Sequence, residues 1–392
     1  MDTVLVVNAG SSSVKFQVFE ATKKGLHRLI KGQMDGIGTR PRLRAETGDK
    51  KELVDRSYSA EEIPDGKTAL ITAGAWLRET QNLEPIAVGH RVVHGGPKYD
   101  RPMMVDKEVV AELERFVPLA PLHQPNNLAP IRALFERYPG LPQVACFDTA
   151  FHRGHDPVAD CYAVPEHLYA EGIRRYGFHG LSYEYVADRL RQVAPKVAGG
   201  RVIVAHLGSG ASMCAIVNGR SVESTMGFTA LDGLPMGTRP GQIDPGVILY
   251  LIDEKKMSAS EVQKLLYNEC GLKGISGISN DVRELEASKD PRARLALEHF
   301  VYRVGLYAGL LAAAMGGVDA FVFTAGIGEN SSSMRARIAK KLTWLGVTLD
   351  PKANEKRETS LAAKNSRIGL YVIPTDEELM IARHTMAVLR KM

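Results

Sequence analysis

The sequence predicts an α/β protein with two domains of related design that face each other across a cleft. A chain of 392 residues is longer than one hydrophobic core usually supports. An apolar strand, a turn rich in glycine and serine, and an alternating strand occupy residues 4–19, and the same order returns at residues 201–225. Because these two hairpins lie about half a chain apart, each domain is expected to begin with one of them.

The composition is that of a globular protein that acts on small molecules. Hydrophobic residues make up 44% and charged residues 24%, and no long biased tract indicates disorder or a repeat array. The net charge of +5 is not concentrated in one basic block, so we expect no nucleic-acid partner. The four cysteines lack metal or redox spacing, no signal peptide is recognised, and residues 306–315 are too short to span a bilayer. We therefore expect a cytoplasmic protein without membrane contact.

The first hairpin, NAGSSSVKF, has the features of a phosphate clamp. Residues after its turn alternate as a strand does, which excludes a P-loop, where a helix follows the glycines. Its small turn residues allow backbone N–H groups to approach an anion, and Asn8 offers an amide oxygen suited to a hard cation. A nucleotide phosphate with magnesium is the expected ligand, and an ordinary hairpin with a polar turn is the alternative. The candidate phosphate contacts are Ser11, Ser13 and Lys15.

Two further glycine turns follow strands in the second half of the chain. The turn at residues 208–210 separates the strands of the second hairpin, and Asn218-Gly219 predicts a type I′ turn into a third strand. AGIGEN, residues 325–330, follows a predicted strand and precedes a serine-capped helix. Its glycines allow the backbone to lie against a purine and ribose as readily as a phosphate, and a loop without a ligand is the alternative.

The terminal helix completes the expected domain assignment. Thr375 is predicted to cap it, with Glu378 closing a capping box. This leaves Glu377 either to complement the helix dipole or to point towards magnesium. We expect an N-terminal substrate domain over residues 1–150, completed by a helix at about 379–392, and a nucleotide-binding domain over residues 151–378.

Two arginines are candidates for binding an anion. Arg91 lies in HRVVHGGPKY and Arg239 in GLPMGTRPGQIDPG, predicted loops that hold too much glycine and proline for regular structure and too little charge for plain surface. Two guanidinium groups can hold a phosphoryl group while its charge redistributes during transfer. A solvated surface arginine is the alternative for each.

Asp148 and several histidines are further candidates. Asp148 follows a predicted strand, where α/β folds display functional groups, and helix capping is its alternative role. His179 precedes a predicted helix and can donate to a phosphoryl oxygen, or it can serve in capping or packing. His123 lies in a proline-rich loop that can line the same cleft. His152 and His155 lack a third ligand, so we reject a zinc site.

Taken together, these segments resemble the acetokinase family of the acetate and sugar kinase, Hsp70 and actin superfamily. The likeness runs from NAGSSSVKF to PTDEELMIA and covers nearly the whole chain. The motifs between them occur in the order that this family has them: GHRVVHGG, APLHQPNN, FDTAFH, RYGFHG, HLGSGAS, MGTRPGQIDPG and AGIGEN. The resemblance implies two related actin-like, or ribonuclease H-like, α/β domains.

The resemblance also implies a reaction and a set of site residues. The reaction is reversible, direct in-line phosphoryl transfer from ATP to acetate, giving acetyl phosphate and ADP, in a homodimer with Mg²⁺, or Mn²⁺ in its place. Asn8 and Glu377 would hold the metal, Arg91 would bind acetate, and Asp148, His179 and Arg239 would be catalytic. The acyl pocket would include Val93, Leu122, His123 and Phe178. Nucleotide contacts would come from Lys15, Ser11, Ser13, His206, Leu207, Gly208, Ser209, Gly210, Asp281, Val282, Arg283, Gly326, Ile327, Gly328, Glu329 and Asn330.

The chain departs from the family pattern at three positions. Ser209 stands where asparagine is common, Val282 replaces a usual phenylalanine, and Ala230 takes the place of a frequent proline. The first two changes concern the nucleotide side. Ala230 lies near the implied acyl pocket, where a roomier site would admit propionate, since one methylene is worth only about 1–3 kcal/mol. Acetate is the expected substrate, and a sugar kinase, a chaperone-type ATPase and a non-catalytic nucleotide switch or filament protein are the alternatives.

Overall fold

The computed structural model describes residues 2–10, 12–121 and 123–391. Contacts within the chain divide it into two compact units, Met1–Phe151 with Asp376–Met392 and His152–Thr375. We call these the first and the second unit. The expected roles of the two as substrate and nucleotide domains stay predictions.

Each unit is built on one mixed β-sheet. In the first unit the strand order is β5-β4-β3-β2-β1-β6-β8-β7. Its strands are β1 (Thr3–Ala9), β2 (Ser13–Thr22), β3 (Gly25–Asp35), β4 (Arg42–Thr47), β5 (Glu52–Ser57), β6 (Ala87–Val92), β7 (Met103–Met104) and β8 (Gln143–Phe147). In the second unit the order is β11-β10-β9-β12-β13. Its strands are β9 (Arg201–Leu207), β10 (Ala211–Val217), β11 (Arg220–Ser224), β12 (Ala320–Thr324) and β13 (Gly369–Val372).

The two sheets share one topology. In each, an antiparallel meander (β1-β2-β3 or β9-β10-β11) is joined through its first strand to two parallel strands (β6-β8 or β12-β13). The first unit extends this plan with β4 and β5 at one edge and β7 at the other. The predicted α/β class with two related sheets is confirmed.

Helices flank both sheets. The first unit has α1 (Gly66–Gln81), α2 (Lys107–Arg115) and α3 (Gln124–Arg137). The second has α4 (Pro157–Asp160), α5 (Glu166–Ala170), α6 (Gly180–Val193), α7 (Pro195–Ala198), α8 (Pro245–Asp253), α9 (Ala259–Asn268), α10 (Gly271–Ser276), α11 (Val282–Ala287), α12 (Pro291–Met315), α13 (Ala325–Asn330), α14 (Ser332–Lys341) and α15 (Pro351–Glu355). The terminal helix α16 (Glu377–Leu389) belongs to the first unit. Of the residues described, none forms a helix long and apolar enough to cross a membrane.

The terminal helix α16 packs closely on the first sheet. It contacts β1, β6 and β8. A Cβ atom at Gly89 of β6 would overlap Ile381 and Thr385 of this helix, so only glycine permits the approach. The consequence is that the N-terminus of α16 lies beside the sheet of the first unit.

Two local predictions differ from the structure. Asp376, not Thr375, caps α16, since its carboxylate accepts from the Leu379 N–H. The Thr375 hydroxyl instead accepts from Ser182. The AGIGEN segment is the short helix α13 rather than a turn. The Glu329 carboxylate accepts from the N–H of Ala325, the first residue of this helix, and so stabilises its N-terminus.

Candidate functional site

The prediction that Arg91 lies on a loop is wrong. Arg91 belongs to β6, which pairs in parallel with both β1 and β8 and places Arg91 opposite Cys146. The glycine-rich part of its segment begins only after the strand ends at Val92. Arg91 is therefore held by a central strand of the first sheet, which fixes its backbone more firmly than a loop would.

Arg91 forms a two-point ion pair with Asp148, the residue that follows β8. Arg91 Nε lies 2.9 Å from Asp148 Oδ1, and Nη2 lies 2.5 Å from Oδ2. The Asp148 side chain is 2% exposed and that of Arg91 is 21% exposed. Such a fork fixes the guanidinium plane and leaves N–H groups on Nη1 and Nη2 for another acceptor.

Two more oxygen acceptors lie near the same guanidinium. Arg91 Nη1 lies 3.4 Å from Asn8 Oδ1, and Arg91 Nε lies 3.7 Å from Glu377 Oε2. Asn8 comes from the carboxyl-terminal part of β1 and Glu377 from the first residue of α16. The carboxyl ends of parallel strands are where open α/β sheets bind ligands, and the structure brings these predicted residues together there.

The charges around Arg91 shift its own pKa and that of Glu377. Burial would lower the pKa of Arg91, but Asp148, Glu377 and Glu378 together hold it above its ordinary value. Burial, with repulsion from Asp148 and Glu378, raises the pKa of Glu377 to about 7 despite the attraction of Arg91. This carboxyl group is thus poised to titrate near neutral pH, which is typical of functional sites.

The donor set suits a hard cation. Asn8, Asp148 and Glu377 offer amide and carboxylate oxygens, and Mg²⁺ is commonly bound by one or two carboxylates together with substrate phosphates and water. Within the ranges that the structure describes, no group of three or more His, Cys, Asp or Glu side chains is arranged to hold a metal ion. The residues present therefore fit a magnesium that is shared with a phosphate ligand, not one enclosed by protein alone.

The phosphate candidates of the first hairpin lie beside this cluster. Lys15 on β2 pairs with Asn8 across the hairpin and is exposed, and its charge acts to lower the pKa of Glu377. A backbone bond from the Gly10 N–H to the Ser13 carbonyl closes the turn. Ser11 lies outside the described residues. The predicted hairpin is confirmed, and its contact with phosphate stays a prediction.

Sequence reasoning missed Asn127, which joins two parts of the first unit. Its Oδ1 accepts from the Val93 N–H, and its Nδ2 donates to the Ala9 carbonyl.

The residues predicted for the acyl pocket differ in burial. Val93 is buried and His123, which precedes α3, is half-buried. Leu122 lies outside the described residues, and Phe178 is a buried residue of the second unit.

His179 in the second unit is held by two side chains, one through a hydrogen bond and one through ring stacking. Its Nδ1 lies 2.7 Å from Ser212 Oγ, and its ring stacks on His206 at 4.1 Å between centroids. His206 Nδ1 in turn lies 2.8 Å from Ser182 Oγ. These contacts orient Nε2 of His179 towards Gly210, where an added Cβ would lie 3.4 Å away. The serines were not predicted, because nothing in their local sequence links them to histidines on other elements.

Arg239 reaches the same glycine. Its Nη1 donates to the Ala230 carbonyl at 2.8 Å, and its Nη2 would lie 3.1 Å from a Cβ at Gly210. Burial lowers the pKa of Arg239, with Tyr267 acting in the opposite sense. Among the residues described, no carboxylate forms an ion pair with this half-buried guanidinium, and a partly desolvated cation without an opposite charge beside it indicates a site for an anion.

A pocket of about 620 Å³ in the second unit brings together three predicted nucleotide segments. The lining residues are Gly208, Ser209, Asn280, Asp281, Val282, Arg283, Glu286, Gly326, Ile327, Asn330, Ser331, Ser332 and Ser333. Asp281 caps α11 and pairs with Arg283 at 2.5 Å. Both departures on the nucleotide side, Ser209 and Val282, line this pocket.

Other predicted nucleotide residues do not line it. His206, Leu207, Gly210, Gly328 and Glu329 lie outside the lining set. Glu329 has a structural role, since its Oε1 accepts from the N–H groups of Ala325 and Thr375.

Comparisons with known proteins agree on one family. The acetokinase family model matches residues 3–383. An acetate kinase of Nitrobacter hamburgensis is 68% identical over 390 residues, covering 99% of this chain and 96% of the relative. An acetate kinase of Rhizobium meliloti is 59% identical over 389 residues, 99% of each chain. Among solved structures, an acetate kinase of Porphyromonas gingivalis has a TM-score of 0.89 and a propionate kinase of Francisella tularensis one of 0.92, each 37% identical and covering 99% of this chain and 100% of its own.

Proposed function

The chain belongs to the acetokinase family, and from this premise we propose how its residues move a phosphoryl group between ATP and acetate. Family membership makes it a kinase, a transferase that acts on acetate. The observation that carries the proposal is the buried Arg91–Asp148 fork beside Asn8 and Glu377.

Arg91 binds the acetate carboxylate in this proposal. Acetate is already ionised at neutral pH, so the nucleophile needs little help from a base. Asp148 is fully engaged with Arg91 and acts by fixing the guanidinium plane rather than by removing a proton. The two substrates are both anions, and their mutual repulsion is the larger obstacle to reaction.

The second unit supplies donors to the phosphoryl group. Arg239 and His179 converge over Gly210, and the preceding residues Gly208 and Ser209 line the pocket proposed for the nucleotide. A Cβ at position 210 would crowd both side chains, so glycine keeps this space open for phosphoryl oxygens. Direct in-line transfer follows, in which the acetate oxygen bonds to phosphorus as the bond to ADP breaks.

Asn8 and Glu377 would hold Mg²⁺, and Mn²⁺ accepts the same ligands. When bound, the ion neutralises charge on the transferring phosphates. Within the chain, Arg91 and Lys15 favour the ionised form of Glu377 against the effect of burial, and Lys15 pairs with Asn8 across the hairpin.

The reverse reaction tests the proposed function. Purified protein with ADP, MgCl₂ and acetyl phosphate should form ATP, because the transfer is reversible and acetyl phosphate is a strong phosphoryl donor. Omitting acetyl phosphate should abolish the signal. Absence of ATP formation by folded protein would overturn the proposal.

The choice between acetate and propionate depends on the residues near the proposed acyl pocket. Ala230, where the family often has proline, accepts from Arg239 through its backbone carbonyl, an oxygen that any residue here would keep, so the replacement concerns chiefly the proposed acyl side. A shift towards propionate would therefore be modest, since one methylene changes discrimination by only about 1–3 kcal/mol. We propose acetate as the preferred acid.

Titration of Glu377 gives the first prediction. Since its pKa is about 7, Glu377 is mostly ionised at pH 8 and mostly protonated at pH 6, and only the ionised form binds a cation. The Mg²⁺ concentration that gives half-maximal thermal stabilisation should rise roughly tenfold from pH 8 to pH 6. Thermal melts across a MgCl₂ series measure it.

Two variants control this prediction. Glu377→Gln should bind Mg²⁺ weakly at both pH values. Glu378→Gln removes a charge that raises the pKa of Glu377, so its midpoint should move to lower pH while binding at pH 8 is kept. Equal half-saturation of the wild type at pH 6 and pH 8 would contradict the assignment.

We also propose that a second copy of the chain packs on α12. Leu295, Tyr302, Leu306 and Leu310 form one stripe on this helix, opposite its buried face. Each of these side chains is 46–57% exposed, and the neighbouring Trp344 is 61% exposed. A contiguous apolar stripe of this kind is typical of an interface, and a homodimer is implied for the family.

Disruption of the stripe gives the second prediction. Leu306→Lys should convert the dimer to a monomer of 42.8 kDa, since it places a charge in the proposed apolar contact. Sedimentation velocity measures the mass. Val158→Lys, at an isolated and 85% exposed position, should leave the dimer intact. A wild-type monomer, or a dimer that persists in Leu306→Lys, would contradict the proposal.

A further inference from the structure

A second cluster of ionisable groups lies in the second unit and has no part in the reaction as described so far. His152 Nδ1 and His155 Nε2 each lie 2.7 Å from Ser221 Oγ, and Cys214 Sγ lies 3.2 Å from the same oxygen. His152 and Cys214 are fully buried and Ser221 is 4% exposed. This is the pair of histidines for which a zinc site was rejected, and a serine takes the place of a metal between them.

The hydrogen bonds in this cluster have one consistent direction. His152 Nε2 lies 3.0 Å from the Phe178 carbonyl, which can only accept, so Nε2 carries the proton. Burial lowers the pKa of His152 to about 3, with His155 adding to the effect, so the ring is neutral and Nδ1 is an acceptor. Ser221 therefore donates to His152 and accepts from His155, while Cys214 Sγ lies beside the same oxygen. A serine hydroxyl has a single proton, and here it is given to His152.

The Phe178 carbonyl belongs to a backbone segment that needs support. Gly177 and His179 on either side of Phe178 have φ values of 73° and 57°, and for His179 this left-handed conformation is strained. The His152 ring packs against Gly177, where an added Cβ would lie 2.7 Å from it. One side chain thus both fills the space beside Gly177 and donates to the peptide that joins Phe178 to His179.

We propose that His152 is a positioning residue: its bond to the Phe178 carbonyl fixes the backbone of His179 and so keeps that ring stacked on His206 and aimed at Gly210. Ser221, which itself accepts from His155, donates to Nδ1 of His152 and so keeps the proton of that ring on Nε2, the atom that donates to the Phe178 carbonyl. This inference rests on the phosphoryl-donor role proposed for His179. It predicts that His152 affects turnover through His179 alone.

A double-mutant cycle tests this. His152→Phe keeps a ring in place but loses the bond, and kcat should fall by roughly 10- to 100-fold, as misplacement of a donor by about 1 Å does. The KM values for acetate and ATP should change by less than about threefold, because ground-state binding is not His179's task. His152→Gln retains an N–H donor and should recover part of the loss. In a His179→Ala background, His152→Phe should lower kcat by less than about twofold further.

A matched control separates positioning from stability. Tyr176 is buried in the same segment and its hydroxyl donates to the Gly172 carbonyl, so Tyr176→Phe loses a comparable bond that does not lead to His179. It should keep kcat within about threefold of wild type while lowering the melting temperature. If His152→Phe does not fold, Ser221→Ala, which removes the donor to His152, should give a smaller fall in kcat that also vanishes in the His179→Ala background.

The outcomes distinguish this inference from the function on which it rests. Full kcat in His179→Ala would overturn the role of His179 and with it the inference. A large loss in His179→Ala with unchanged kcat in His152→Phe would overturn the inference alone. An undiminished effect of His152→Phe in the His179→Ala background would do the same, since His152 would then act by another route.

Discussion

Replacing Arg91 by alanine should lower kcat/KM for acetate by about 1000-fold, equivalent to a loss of about 4 kcal/mol of transition-state stabilisation by a preorganised donor. Arg91 is the cation nearest to Asn8, Asp148 and Glu377, and its Nη1 and Nη2 groups retain N–H donors beyond the Asp148 fork. Both KM for acetate and kcat should suffer, because Arg91 binds the acid in the ground state and offsets repulsion in the transition state. Steady-state kinetics with varied acetate measures this.

The same change should also destabilise the fold. It leaves Asp148, 2% exposed, without its partner, and removing one member of a buried ion pair costs about 3–5 kcal/mol. Kinetics must therefore be measured below the melting temperature of the variant. Arg91→Lys keeps a charge but not the two-point fork, so its activity should lie between those of alanine and the wild type.

A matched exposed arginine controls for charge. Arg42 in the same unit pairs with Asp55 at the surface, and Arg42→Ala should leave kcat and KM unchanged. If Arg91→Ala retained more than about a tenth of wild-type kcat/KM, its loss of binding energy would be too small for the role proposed.

Replacing Arg239 by alanine should lower kcat by about 100- to 1000-fold, the usual cost of one donor to developing charge. This guanidinium is half-buried, and across the described ranges no carboxylate is paired with it, so its charge is available to a phosphoryl group. KM for acetate should change little, because Arg239 acts on the phosphoryl group rather than on the acid. The protein should lose little stability, since the change gives up a bond to the Ala230 carbonyl but leaves no described carboxylate without its partner.

Arg292, an exposed arginine of the second unit that pairs with Asp290, is the control, and Arg292→Ala should keep wild-type kinetics. The stability of the Arg239 variant distinguishes a ligand-binding arginine from a structural one. A large fall in melting temperature with unchanged kcat would assign Arg239 to the fold and contradict its role in transfer.

The sequence predicted the parts of the fold that local patterns encode. The hairpins at β1-β2 and β9-β10 and the left-handed Asn218-Gly219 turn are confirmed, because alternation and turn residues act over a few positions. A local signal also ends α12 at Met315, since the next residue, Gly316, takes the left-handed conformation that glycine favours. AGIGEN was misjudged because the bond from Ala325 to Glu329 makes a helix of residues that elsewhere favour turns.

The candidate site was predicted as a set of residues but not as a geometry. Arg91 was placed on a loop because its segment holds much glycine and proline, yet Arg91 lies in a central strand, where Asp148, 57 residues away in sequence, matches its charge. Ser212, which bonds to His179, and Ser221, which bonds to His152, are likewise distant in sequence from their histidines. A serine has no local pattern that reveals such a partner, so only the tertiary structure identifies it.

Trapping the acyl phosphate tests the central claim most directly. Purified protein with Mg-ATP and hydroxylamine should convert acetate to acetyl hydroxamate faster than it converts propionate or butyrate at the same concentration. Faster conversion of propionate would reassign the substrate, and no hydroxamate with any of the three acids would contradict phosphoryl transfer to a carboxylate.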